Sequence, residues 1–123
     1  MQHQTTIAAI ATPLGRGGGG VIRLSGPKAD AIAEQWTHKQ LPAPRMVGFR
    51  QFCDADGPVM DEGIVLFFPN PHSFTGEDVV ELQGHGGPVS QNALLTRLLD
   101  LGASAAKAGE FSMRAVENGK MDL

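Results

Sequence analysis

"MVGFRQFCDADGPVMDEGIVLFFP" (46–69) decides the fold. Two runs rich in apolar and aromatic residues, 46–54 and 61–69, flank "ADGPV", where Asp56-Gly57 is a hairpin turn signal. Strands joined by so short a turn pair antiparallel, because a parallel crossover needs a dozen or more residues. The sheet is therefore expected to be antiparallel or mixed.

Working outward, "TTIAAIAT" (5–12) and "GVIRLSG" (20–26) read as two further strands on either side of the glycine loop "GRGGGG" (15–20). In the second, Ile22 and Leu24 share one face, and Val21, Arg23 and Ser25 share the other. "SGPKADAIAEQWTHK" predicts a helix, with Ser25 as its cap, Pro27 in its first turn, and Ala29, Ile32, Ala33 and Trp36 as its apolar stripe. After the hairpin and a loop at 70–78, "DVVELQGH" (78–85) is a strand. "GPVSQNALLTRLLDLG" (87–102) is a helix with Val89, Ala93, Leu94, Leu98 and Leu101 at helical spacing and Gly102 as its stop. "ASAAKAG" is a short extended segment, and "GEFSMRAVENGK" is a last helix ending at Asn118-Gly119. The order β-β-α-β-β-β-α-(β)-α predicts an α+β domain: a mixed, mostly antiparallel sheet with about three helices, set to one side of it.

The chain has 123 residues, one domain's worth, and needs no disulfide to bury a core. A net charge of −3 and the lack of any Lys/Arg run argue against a domain that grips nucleic acid by itself. The single cysteine, Cys53, has no partner in the chain and reads as an apolar filler. No apolar run reaches the roughly 18 residues of a membrane helix, and the N-terminus lacks a signal peptide's basic region. The expected setting is cytoplasmic, with no membrane partner. The closing "GKMDL" carries no stop signal, so the chain reads as cut off rather than finished.

Neither glycine cluster makes a nucleotide site by itself. "GRGGGGVI" puts Val and Ile where a Walker A loop needs Lys and Ser/Thr. "GHGGPVS" puts Val89 where a dinucleotide fingerprint needs its third glycine. An anion at Gly86–Gly87 on the following helix stays open, as does a turn-capping role for His85. The four histidines stand at no metal-ligand spacing, "DADG" (54–57) lacks the later acid of a calcium loop, and no nucleophile motif appears. What remains is Glu81, a lone carboxylate in an apolar strand, on one face with Val79 and Gln83. If its strand pairs with that of Arg23, both charges face one cleft. The pair is then either structural, at the sheet's edge, or a ligand site. A carboxylate accepts two hydrogen bonds side by side and matches a heterocycle with two adjacent N–H donors, as pterins and guanines have. A nearby cation would hold such a ligand's anionic tail.

Three stretches in order, "TIAAIATPLGRGGGGVIRLSG" (6–26), "NPHSFTGEDVVELQGHGGPV" (70–89) and "AGEFSMRAVENGKMDL" (108–123), closely resemble the N-terminal domain of the MnmE (TrmE) family of tRNA modification GTPases. The resemblance implies that residues 1–123 are an N-terminal domain that binds a reduced folate and drives homodimerisation, with a fold similar to the folate-binding domain of glycine-cleavage aminomethyltransferase. The implied ligand is 5-formyltetrahydrofolate or 5,10-methylenetetrahydrofolate. The implied contacts are Arg23 of "IRLSG", Glu81 of "VVELQGHGG" and Lys120 of "NGKMDL". Family members continue into a helical domain and a GTPase domain that use GTP, magnesium and potassium, for which this chain has no sites. They work with the FAD-dependent partner MnmG on C5 of the tRNA wobble uridine. Ala108 and Met113 stand where the family usually has proline and glutamate, departures that touch a turn and the surface rather than the three contacts. An assembly module without a working site and a stand-alone aminomethyltransferase are the alternatives.

Overall fold

A computed structural model describes residues 3–11, 20–84 and 89–122. The order of elements is β1 (Ile7–Ile10), β2 (Val21–Ser25), α1 (Ala29–Thr37), β3 (Gly48–Cys53), β4 (Val59–Phe68), β5 (Val79–Gly84), α2 (Gln91–Asp100), β6 (Ser104–Ala105) and α3 (Glu110–Glu117). The six strands form one sheet in the order β3-β4-β5-β2-β1-β6. Every neighbouring pair is antiparallel except β1 with β6, so the sheet is mixed and the domain is α+β, as the order of elements predicts.

The hairpin forms as its turn requires. Asp54 N–H donates to Pro58 O (2.8 Å) and Gly57 N–H to Asp54 O (3.0 Å), with Gly57 at φ 102°, a conformation that favours glycine. Alternation along the strands sends Ala8, Ile22, Leu24, Phe52, Val65, Val80 and Leu82 to one face of the sheet. There they meet the apolar stripes of α1 (Ala29, Ile32, Ala33, Trp36) and α2 (Leu94, Leu98). Trp36 and Phe52 stack with ring centroids 4.7 Å apart. Both helices thus cover one side, and the other side carries Arg23, Glu81, Leu66, Ile64 and Phe68.

Four expectations change in detail. Ser25 does not cap α1. It is the buried last residue of β2, and its hydroxyl turns to Glu77 Oε1 and Thr75 Oγ1, both at 2.7 Å, because a buried carboxylate needs donors. Helix α1 starts after Lys28, whose N–H is taken instead by Thr6 Oγ1 across the sheet end (2.8 Å). Helix α2 starts at Gln91 rather than 87, capped by Ser90, whose Oγ accepts from Ala93 N–H at 3.1 Å; Ala93 itself is exposed rather than in the stripe. Strand β1 is also shorter than 5–12. The loop at 15–19, His85 and Gly86–Gly87, and with them the anion site and the His85 turn, lie outside the described residues.

Candidate functional site

Strands β2 and β5 are antiparallel neighbours in which Arg23 stands directly opposite Glu81. Arg23 Nη2 lies 3.8 Å from Glu81 Oε1, with the arginine side chain 41% exposed and the glutamate 17%. Gln83, two residues along the same face, donates from Nε2 to the same Oε1 at 3.5 Å. Both contacts are long, and among the described residues both fall on one carboxylate oxygen. A structural ion pair in this position would be expected to close to normal hydrogen-bond length. Among the described residues, this carboxylate keeps acceptor capacity in hand.

The pair lies in an open cavity of about 220 Å³ lined by Arg23, Phe68, Phe74, Val79 and Glu81. Phe68 is the last residue of β4, beside Val79 in the ladder. Phe74 comes from the loop at 70–78 and is 49% exposed. Two aromatic rings and a valine give apolar walls, while Glu81 and Arg23 supply an acceptor and a donor. That combination of mostly apolar walls with a few placed polar groups suits a flat, polar-edged ring.

The loop that brings Phe74 into place is fixed by hydrogen bonds to its own backbone and to the sheet. Asn70 N–H donates to Asp78 Oδ1 (2.8 Å), and the Asn70-Pro71 peptide is cis. Thr75 is fully buried, and Glu77 carries its carboxylate into the interior. There Glu77 meets Arg114 of α3, whose Nη1 lies 3.0 Å from Oε1 and 3.2 Å from Oε2. Arg114 is fully buried and also donates to Thr5 O and Thr5 Oγ1, both at 2.9 Å, and Glu110 Oε2 stands 3.3 Å from its Nη2. A buried charge pair of this kind holds only because nearly every donor and lone pair has a partner. The Glu110 carboxyl is held below its ordinary range, first by the Lys107 backbone N–H donated to it and then, against its burial, by the Arg114 guanidinium.

Lys120 does not line the cavity. It follows α3, and its Cγ lies against Gly76 of the same loop. The structure therefore brings Arg23 and Glu81 together and sets Lys120 against the loop that supplies Phe74. Among the described residues, no group of three or more His, Cys, Asp or Glu side chains is placed to hold a metal. The sequence alone does not single out the two aromatic walls or the Glu77–Arg114 pair. Their only signal was position: Phe74 and Glu77 in "SFTGED", and Arg114 as a charge beside the apolar residues of a short helix.

Residues 6–120 match the model of the family described as GTP-binding protein TrmE N-terminus. The chain belongs to that family. Over all 123 residues it is 80% identical to the tRNA modification GTPase MnmE of Acinetobacter baylyi, of which it covers 27%. It is 63% identical over 123 residues to the protein of that name from a Psychrobacter species (strain PRwf-1), of which it covers 26%. A third relative of the same name, from Saccharophagus degradans, is 57% identical over 122 residues, 99% of this chain and 26% of the relative. The chain thus spans about a quarter of the length of these curated relatives. The TrmE N-terminal match takes in Arg23, Glu81 and Lys120.

Proposed function

We propose that this domain holds a reduced folate, 5-formyl- or 5,10-methylenetetrahydrofolate, for a protein that modifies tRNA. One observation carries the reading: the Glu81 carboxylate, opposite Arg23, lines a cavity of about 220 Å³ together with Phe68 and Phe74. A pterin presents adjacent N–H donors on a flat ring, and a carboxylate in a cavity with aromatic walls is a complement to both features. Glu81 takes the donor edge, Arg23 an acceptor on the ring, and Lys120 the anionic tail, the role its compact ammonium charge suits. Calorimetric titration with 5-formyltetrahydrofolate tests this, because binding must weaken in Glu81→Ala and in Arg23→Ala. Normal binding by both variants refutes the assignment.

The link to tRNA modification is proposed from relatives named tRNA modification GTPase. We assign the GTP, magnesium and potassium requirement, and the encounter with MnmG and tRNA, to the larger part of the relatives' length that this chain does not span. The setting proposed is cytoplasmic, and among the described residues no helix is long and apolar enough to cross a membrane. Homodimerisation is part of the same proposal. Its specific support is the edge strand β3, where Phe49, with Met46 and Val47 before it and Val59 across the hairpin, is exposed. An apolar sheet edge invites a second chain. Sedimentation of the wild type and Phe49→Asp tests this: a dimer lost in the variant supports it, and a monomeric wild type refutes it.

A further inference from the structure

The backbone of loop 70–78 and the C-terminal end of α3 are interlocked. Helix α3 ends in a left-handed turn: Gly119 has φ 73° and donates to Val116 O (3.0 Å), and Lys120 N–H returns to Ala115 O (2.8 Å). This turn fixes the Lys120 backbone. Just before it, Asn118 Nδ2 donates to Thr75 O at 2.8 Å. Thr75 is fully buried and anchored through its hydroxyl to Ser25. Next in the loop, Gly76 has φ 83°, and a Cβ there would stand 2.8 Å from Asn118 Cβ and 3.4 Å from Lys120 Cγ. The loop and the helix end therefore fit only because residue 76 has no side chain. On the other side of Thr75 is Phe74, half-exposed and lining the cavity with Arg23 and Glu81. The backbone on both sides of Phe74 is tied down, yet its ring is left at the surface of the cavity.

We propose that Asn118, with Gly76 as its socket, is a positioning residue of the folate site: it joins Lys120 and Phe74 into one unit, so that the cation and the aromatic wall keep a fixed relation to the Arg23–Glu81 pair. This rests on the folate reading above. Asn118 need not touch the ligand, because its amide holds Thr75 O, next to Phe74, while Lys120 follows two residues on in the same turn.

A double-mutant cycle separates positioning from a general loss of structure. The chain, Asn118→Ala, Lys120→Ala and the double variant are titrated with 5-formyltetrahydrofolate, with thermal unfolding run beside each. Asn118→Ala is expected to weaken binding roughly tenfold, the size of one lost hydrogen bond. In the Lys120→Ala background the same change is expected to cost clearly less, because only the Phe74 side of the linkage is left to lose, the non-additivity of coupled residues. Equal losses in both backgrounds overturn the proposal. Amide exchange on the ligand-free variants reads the same linkage without folate. Asn118→Ala must speed exchange at Gly76 and Lys120 together while the core strands stay protected. If either amide is unchanged, the linkage is wrong. A wild type that takes no folate refutes the folate reading, and the exchange result then decides whether the two segments are one unit.

Discussion

Arg23 and Glu81 face each other across β2 and β5, 3.8 Å apart at their nearest charged atoms, on the side of the sheet that α1 and α2 leave open. With the arginine side chain 41% exposed, this is a solvent-screened pair rather than a structural tie. Glu81→Gln is therefore expected to change unfolding free energy by less than about 1 kcal/mol, as exposed pairs do. Urea denaturation checks this. A loss of several kcal/mol would mean that the pair belongs to the framework and not to a ligand site.

The Glu77–Arg114 pair predicts the opposite. Arg114 is fully buried and Glu77 nearly so. Replacing Glu77 by Gln leaves the buried guanidinium with Glu110, at 3.3 Å, as its remaining carboxylate, and breaking a buried pair costs about 3–5 kcal/mol. Replacing Arg114 by Met strands the carboxylate and is expected to cost a similar amount. The same denaturation series ranks Glu77→Gln far below Glu81→Gln in stability, and equal effects would contradict the assignment of roles.

Glu110 gives the fold a dependence on acid. Its carboxyl is held below the ordinary range by the Lys107 N–H and the Arg114 guanidinium. A depressed folded value means that the charged form contributes stability above the unfolded value. That contribution is lost as pH falls through the folded one. The stability gap between wild type and Glu110→Gln is thus expected to be full at neutral pH and to close below the ordinary carboxylate range. A gap that stays constant down to that acidity would show that the charge plays no part.

Thr6 serves the start of α1 from another strand's end, accepting from Lys28 N–H at 2.8 Å. Thr6→Val is expected to destabilise by about 1 kcal/mol, the usual worth of a lost N-terminal acceptor. Thermal unfolding checks it, and an unchanged midpoint would mean that the Lys28 N–H finds another acceptor at no cost.

Much of this was legible in the sequence, for local reasons. Asp56-Gly57 fixed the hairpin, period-two alternation set Ile22 and Leu24 against Arg23, and the spacing Ala29, Ile32, Ala33, Trp36 marked the buried side of α1. The meeting of Arg23 with Glu81 followed once β2 and β5 paired, but that pairing joins residues far apart in the chain. Ser25 reads as a helix cap in the sequence because it stands just before Gly26-Pro27 and an apolar helical stripe. Its partner Glu77, 52 residues away, outcompetes the nearby helix for its hydroxyl. The role of Phe74 was hidden for the same reason: only the fold of loop 70–78 against α3 sets its ring beside the pair.

The most direct measurement is calorimetric titration of the 123-residue chain with 5-formyltetrahydrofolate, beside Glu81→Gln, which keeps the shape of the side chain and removes its charge. Saturable binding by the wild type, weakened at least about tenfold in Glu81→Gln, is the predicted result, since hydrogen bonds to a charged acceptor contribute about 1.5–3 kcal/mol. Binding of equal strength by both proteins, or none by the wild type, would contradict the claim that the Arg23–Glu81 cavity holds a reduced folate.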